Sequence, residues 1–253
     1  MTFVLALLAA IAFAGGAVAA EPPVASSCDV PDRLLPTDED LAHVGADVKD
    51  RRRLAITVVG SGSSALAGPD GARFAYPAQL EQSLRDRMPG IDVKVIAHVP
   101  SRQTTADMAA ALPKILADDQ PALVIWQAGT VDALRGVDPD DFRNSLDQGL
   151  DAIATAGANV ILMNMQYSPR TDSMLSVAPF ADVMHWVAEQ RGILLFDRLG
   201  IMHYWSDEGT FDLYAATTGY AMARRVHECI GRALASQIIN AAHLDAAKMQ
   251  TTR

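Results

Sequence analysis

Cysteine is scarce in this chain: Cys28 and Cys229 are the two among 253 residues. A small disulfide-dense scaffold is thereby excluded, and with no C-x-x-C pair a thioredoxin-type redox role has no footing. Basic clusters are missing too. The longest is Arg51-Arg52-Arg53, and 21 Lys and Arg stand against 30 Asp and Glu, a net charge of −9. A nucleic-acid surface needs clustered cations to neutralise phosphates, so nucleic acid is not an expected partner. Aromatic residues make up only 6% of the chain, yet 50% of it is apolar, which suits one large core and excludes a disordered or collagen-like chain. No His/Cys/Asp group has metal-ligand spacing, so neither a metal nor another cofactor is expected.

Long apolar runs are also lacking, with one exception. Residues 1–20 carry no charge and pass from a leucine- and alanine-rich stretch into Gly15-Gly16-Ala17-Val18-Ala19-Ala20. An apolar segment followed by small residues of the A-x-A kind is expected to be a signal peptide cleaved after Ala19 or Ala20, although a positively charged start is missing. A membrane anchor would want roughly 20 apolar residues with flanking charges. The expectation is therefore an exported protein, periplasmic or secreted, with no stable membrane insertion after cleavage. Both cysteines survive that cleavage. An even count in an oxidising compartment predicts a Cys28–Cys229 disulfide tying the N-terminal arm to the last helix. Closing a loop of about 200 residues is worth roughly 5 kcal/mol in the simple chain-entropy picture.

After residue 20, a segment rich in Pro, Asp and Arg (21–53) is expected to be an irregular arm. Then short apolar runs recur at 54–59, 91–99, 122–126, 159–165 and 193–196. They lack the polar alternation of a sheet with one wet face, so they are expected to be strands buried on both sides of a parallel sheet. Helix starts lie between them: Pro77 in a first turn, Thr104-Thr105-Ala106-Asp107, and Asp138-Pro139 with acidic residues following. A fourth helix is expected over 174–190 and a last one over 219–248. Gly90, Gly157 and Gly192 fall where helices should end. The expected fold class is α/β: one domain over 54–250, a three-layer α/β/α sandwich around a five-stranded parallel sheet, flavodoxin-like.

In such sheets ligands bind outside the carboxyl ends of the strands. The loop after the first strand, Gly60-Ser61-Gly62-Ser63-Ser64-Ala65, satisfies G-x-G-x-x-A. A dinucleotide role fails on context, because the second strand ends His98-Val99-Pro100 without an acidic residue for a ribose. The other reading of this loop is a serine nucleophile with backbone N–H groups near an oxyanion. The third run continues Gln127-Ala128-Gly129-Thr130-Val131-Asp132-Ala133-Leu134-Arg135-Gly136 and resembles the G-T-N-D-A-x-R-G block of SGNH/GDSL hydrolases. The loop at Gly60 occupies that family's G-D-S position. Thr104-Thr105-Ala106-Asp107-Met108 resembles the helix after its second block, and Gly219-Tyr220-Ala221-Met222-Ala223 is similar to the sequence following its catalytic histidine. The resemblance covers about residues 54–235 and implies an SGNH hydrolase fold and an esterase or acyl-hydrolase acting on ester bonds.

The same alignment shows departures at all four signature positions. The family's serine attacks, a glycine amide and an asparagine side chain help hold the oxyanion, and histidine is the base. Here the ungapped nucleophile position is Gly62, flanked by Ser61 and Ser63. The second-block glycine is Arg102, the oxyanion asparagine is Val131, and Tyr214 stands near the histidine position. A tyrosine phenol keeps its proton at neutral pH and is no substitute base. A one-residue slip restores Ser63 as nucleophile. Among the six histidines (His43, His98, His185, His203, His227 and His243), His203 is the candidate base, since it opens the loop expected to carry the family's acid and base. Asp212 is the alternative candidate to His203, and Ser61 the alternative nucleophile to Ser63.

The expected cleft is completed by Gly60, Gly62, Arg102, Gly129, Thr130, Asp132 and Tyr214. Asp132 is read as fixing its loop. Arg102, Arg135 and Arg170 form a candidate anion-binding set, because guanidinium groups grip carboxylates bidentately. Two functions remain in view. One is an exported ester hydrolase with a divergent site. The other is a catalytically inactive relative that binds an acylated glycan or another small-molecule ester in the old cleft.

Overall fold

In the computed structural model, residues 28–68, 70–214 and 220–244 are described, with the side chains of residues 170 and 171 excepted. The expected signal peptide at 1–20 lies outside these residues. Five parallel strands, β1 (Arg53–Val59), β2 (Asp92–His98), β3 (Leu123–Gln127), β4 (Asn159–Met163) and β5 (Leu194–Phe196), form one sheet in the order β2-β1-β3-β4-β5. This is a doubly wound order, with the reversal between β1 and β3. The helices are α1 (Ala42–Arg51), α2 (Tyr76–Arg87), α3 (Thr105–Asp119), α4 (Pro139–Thr155), α5 (Ala178–Arg191), α6 (Arg198–Asp207) and α7 (Ala221–Ala241). Shorter helical turns cover Gly62–Ser64, Gly71–Phe74, Thr130–Arg135 and Pro169–Asp172.

The period-2 geometry of a strand sorts the sheet's side chains between two cores. Leu54, Ile56, Val58, Leu123, Ile125, Ile161, Met163, Leu194 and Phe196 face α1, α2, α6 and α7. Val59, Val124, Trp126, Val160, Leu162 and Leu195 face α3, α4 and α5. Three layers result, as expected. On the first face α7 crosses close over α2. A Cβ at Gly231 would lie 2.7 Å from both the Gln79 Cβ and the Leu80 backbone nitrogen, so only glycine permits the approach.

The central strands are buried on both faces, but β2 is not. It is an edge strand, and Asp92 and Lys94 alternate outward with buried Val93 between them. The expectation that all five runs are doubly buried is corrected there, because sheet order decides which strand is covered. The arm is also less irregular than expected. Residues 42–51 form α1, whose Val44 and Val48 are buried in the core, and Asn159 Oδ1 accepts the backbone N–H groups of His43 and Val44 at 2.8 and 3.2 Å. Two helices are shorter than expected. α5 starts at Ala178 and leaves Met174 on an exposed loop; α7 ends at Ala241, before His243 with φ 53°. Residues beyond 244 lie outside those described. Gly90, Gly157 and Gly192 do have positive φ where expected. Cys28 and Cys229 are bonded across 201 residues, fastening the arm to α7 as the sequence predicted.

Candidate active site

β1 delivers the chain to the carboxyl edge of the sheet, where Gly60 sits hard against β3. A Cβ there would come within 2.6 Å of Ser64 Oγ and 3.2 Å of Gln127 Cβ. The chain then turns through Ser61 into the short helical turn Gly62–Ser64, which curls the three serines around one side chain. That side chain is Gln127, the last residue of β3. Its Oε1 accepts from the Ser61 N–H (3.2 Å), Ser61 Oγ (3.2 Å), Ser63 Oγ (3.0 Å) and Ser64 Oγ (3.1 Å). Its Nε2 donates to Ala128 O at 3.3 Å and reaches toward Thr130 Oγ1 at 3.5 Å, which fixes the orientation of the amide. Ser61 and Ser64 are buried, and Ser63 is half-buried. Ser64 Oγ also meets Tyr76 Oη at 3.1 Å.

The loop after β3 is held from two sides. Gly129 turns it with φ 93° beside Met165, a conformation costly for any other residue. Asp132, 1% exposed, accepts from Thr105 N–H (2.9 Å) and Thr105 Oγ1 (2.8 Å), so it pins the loop to the start of α3, the role expected of it. Val131 is buried and its side chain offers no donor. Arg102 has φ 66°, the left-handed backbone that glycine usually supplies. Its exposed side chain stands at this edge, and its carbonyl accepts from Arg135 Nη2 at 2.7 Å. Arg102 and Arg135 are therefore neighbours, while Arg135 also lies 4.0 Å from Asp107. The side chain of Arg170 lies outside the described residues.

His203 is on α6, not on a loop. Asp197 caps that helix by accepting the Gly200 N–H at 2.9 Å, so α6 starts directly after β5 and carries His203 in its second turn. Its ring stacks on Tyr167 at 3.6 Å between centroids, and Tyr167 Oη meets Tyr214 Oη at 3.3 Å. The Tyr214 contact and burial push the Tyr167 phenol up to about 12. Tyr214 follows Asp212, whose carboxylate accepts the Tyr214 N–H at 3.1 Å. The structure thus brings Ser61, Ser63, Ser64, Gln127 and Thr130 together. It also brings Tyr167, His203 and Tyr214 together. Every hydrogen bond from a loop-serine hydroxyl goes to Gln127 or Tyr76, and the other histidine side chains with partners find them elsewhere. His98 binds Asp119 (2.8 Å), His185 faces Asp197 (3.8 Å), His243 binds Asp40 (2.9 Å), and His227 Nδ1 accepts the Tyr76 N–H (2.9 Å). Burial lowers the His227 imidazole to about 3, helped by the nearby Arg198 charge.

Two residues of this site escaped the sequence reading. Gln127 had a signal, as the single polar residue closing an apolar strand. Arg198 had none. It is fully buried behind the serine loop, where Nη1 donates to Ser63 O at 3.0 Å and Nη2 to Gln166 Oε1 at 3.2 Å. Its guanidinium carbon lies 5.8 Å from the Tyr76 ring centroid, and Nε has no partner. Burial lowers it to about 10, so it is still a cation at neutral pH. Leu134, Met174, Tyr214 and Tyr220 are four of the five large apolar side chains most exposed among the described residues. Tyr214 meets Tyr167, and Tyr220 lies beside Gly68 of the loop after β1.

A parallel doubly wound sheet with a serine-bearing loop after β1 and a pinned loop after β3 defines an SGNH/GDSL-type hydrolase scaffold. The sequence model of the Non-GDSL lipase-like family matches residues 27–244, and the chain belongs to that family. It is 34% identical over 114 residues to the esterase TesA of Pseudomonas aeruginosa, covering 45% of this chain and 55% of that protein. It is 31% identical over 121 residues to an arylesterase of Vibrio mimicus, covering 48% and 59%. The matched part thus spans little more than half the length of these relatives. The crystal structure of TesA superposes with a TM-score of 0.56 at 27% identity, over 72% of this chain and 98% of that one. An acetylxylan esterase from Geobacillus stearothermophilus, solved as a catalytic mutant, gives 0.60 at 18% identity over 73% and 94%, a likeness of fold.

Proposed function

We propose that this chain is an exported member of the hydrolase family that binds a small-molecule or glycan ester in the carboxyl-edge cleft and hydrolyses it weakly or not at all. One observation carries the reading: the acceptor that meets the serine hydroxyls is the Gln127 amide oxygen. A neutral amide takes no proton at neutral pH, so it cannot activate a nucleophile as an imidazole does. Gly62 and Val131, at the positions where the resemblance expects the nucleophile and an oxyanion donor, support the same view. Losing one oxyanion donor typically costs about 10²–10³ in rate, and losing the base costs more. The Cys28–Cys229 disulfide supports export, which amino-terminal sequencing of the mature protein tests: a start at Ala20 or Glu21 is expected.

The deciding experiment is turnover of p-nitrophenyl acetate by the purified protein. The expected rate is at least about 100-fold below the roughly 10 s⁻¹ of a median enzyme. A rate near that median, abolished by Ser63→Ala, overturns the reading. A second reading, slow hydrolysis by Ser63 with His203 as base, is favoured by membership in a lipase-like family and by the half-buried position of Ser63. Under it, residual turnover disappears in Ser63→Ala and falls in His203→Ala.

A further inference from the structure

The two edge strands of an open sheet each present a row of backbone N–H and C=O groups that another chain can pair with. In β2 the Asp92 N–H donates to Arg52 O, and His98 O accepts the Gly60 N–H, so these two residues bond on the β1 side. The period of two along a strand then turns the backbone groups of Val93, Val95 and Ala97 outward. Side chains from α2 reach this outer row. Arg85 Nε and Nη2 donate to Val93 O at 3.1 and 2.8 Å, and Glu81 Oε2 accepts the Val95 N–H at 2.7 Å. Arg85 and Glu81, one helical turn apart, also pair with each other at 2.9 Å. The other edge, β5, is only three residues long. Its outward carbonyl, that of Leu195, accepts from Gln237 Nε2 of α7 at 3.4 Å.

An ion pair on a solvated helix face contributes little by itself. This one is aimed: a donor meets a carbonyl and an acceptor meets an N–H on adjacent outward residues of the longer edge. Without it, β2 is complementary to itself. Two copies running antiparallel about a twofold axis at Val95 set Val93 opposite Ala97, Asp92 opposite His98 and Lys94 opposite Ile96. No like charges then face each other, and the outward groups of Val93, Val95 and Ala97 fall into hydrogen-bonded pairs. At three residues, β5 has one outward residue, Leu195, to offer in the same way.

We propose that Glu81 and Arg85 act as a guard on the sheet's longer open edge, holding Val93 O and Val95 N–H so that β2 does not pair with the β2 of a second copy of this chain. The guard consists of side chains on the helix surface, so removing it uncovers the edge and leaves the core in place.

Sedimentation equilibrium of the full mature chain tests this on wild type, on Glu81→Ala/Arg85→Ala, and on that double variant carrying Val95→Pro as well. Proline at Val95 removes the outward N–H and leaves the bonds to β1, the placement that edge strands tolerate. The double variant is expected to self-associate at least about tenfold more tightly than wild type, on the scale of one hydrogen bond released from a charged partner. Val95→Pro should return the association to the wild-type level. Equal association of wild type and double variant overturns the guard. Association that persists with Val95→Pro places the contact on another surface and overturns it too. Should the proline variant fail to fold, hydrogen exchange in the double variant decides: protection of the Val95 amide that rises with protein concentration supports the proposal, and protection that does not change overturns it. Should the double variant fail to fold, Arg85→Ala alone, which frees the Val93 carbonyl, takes its place in the same comparison.

Discussion

Two side-chain amides sit at opposite ends of neighbouring strands, and they are used differently. Asn159 opens β4 opposite Leu123, while Gln127 closes β3 opposite Met163. At the amino end, Asn159 Oδ1 has two lone pairs and receives two donors, the first-turn N–H groups of α1. At the carboxyl end, the same kind of oxygen on Gln127 receives four. At Asn159 the donors and lone pairs match. The carboxyl end has more donors on that oxygen than lone pairs, and a buried positive charge with no carboxylate partner among the described residues. Polar imbalance of that kind accumulates where a protein meets something else, because a fold optimised only for stability would remove it.

Acid should widen the difference between the two ends. His227 and Arg198 both lie near Tyr76, behind the serine loop. The folded His227 imidazole titrates near 3, below the ordinary 6.5, through burial first and the Arg198 charge second. Between those values the unfolded chain binds a proton that the folded chain refuses, so stability is full above about 6.5 and falls as the pH drops. From pH 7 to pH 5 the loss is about 2 kcal/mol at 1.36 kcal/mol per unit. Urea denaturation at both pH values measures it, and His227→Gln should flatten the slope. Hydrogen exchange should locate the weakening at the Tyr76 amide and spare the Val44 amide. Equal acceleration at both would show that the two ends open together.

Asn159→Ala tests the amino end directly. It strips two N–H groups of their acceptor, much as loss of a helix N-cap does, and should cost about 1–2 kcal/mol. The urea midpoint should fall with the m-value unchanged, and hydrogen exchange at the Tyr76 amide should stay at the wild-type level. A change in that exchange would mean that the two ends are coupled through β3 and β4.

The sequence showed the fold more fully than the site, and particular residues explain why. Apolar runs marked every strand, and burial on two faces makes those of the central strands continuous. The exposure of β2 depends on the order of strands, which no local pattern carries. Helix α1 was hidden because its cap, Asn159, is 115 residues away from Val44. The signal for α6 was present in Asp197, which caps it at Gly200, but His203 was assigned to a loop by analogy with the family's last block. Gly60, Ser61 and Ser63 were legible as a loop. Their common acceptor was not, since three serines meet Gln127 only when β1 and β3 are adjacent. Arg198 is the extreme case: a cation is read as surface until the tertiary structure covers it.

The smallest expected effect is the sharpest test of the donor count. Ser63→Ala removes one of four donors from Gln127 Oε1, so three still compete for two lone pairs and no acceptor is left bare. The penalty for deleting a hydrogen-bonding group comes mainly from the partner left unsatisfied, and here there is none. The Arg198 contact is to the Ser63 backbone carbonyl and survives the substitution. Alanine also fits the helical turn without strain. Stability should therefore change by less than about 0.5 kcal/mol, in the range of a neutral surface change, despite the partial burial of Ser63. Urea denaturation of wild type, Ser63→Ala and Asn159→Ala side by side gives the comparison. If Ser63→Ala costs as much as Asn159→Ala, all four donors are needed by the fold and the two amides are equivalent.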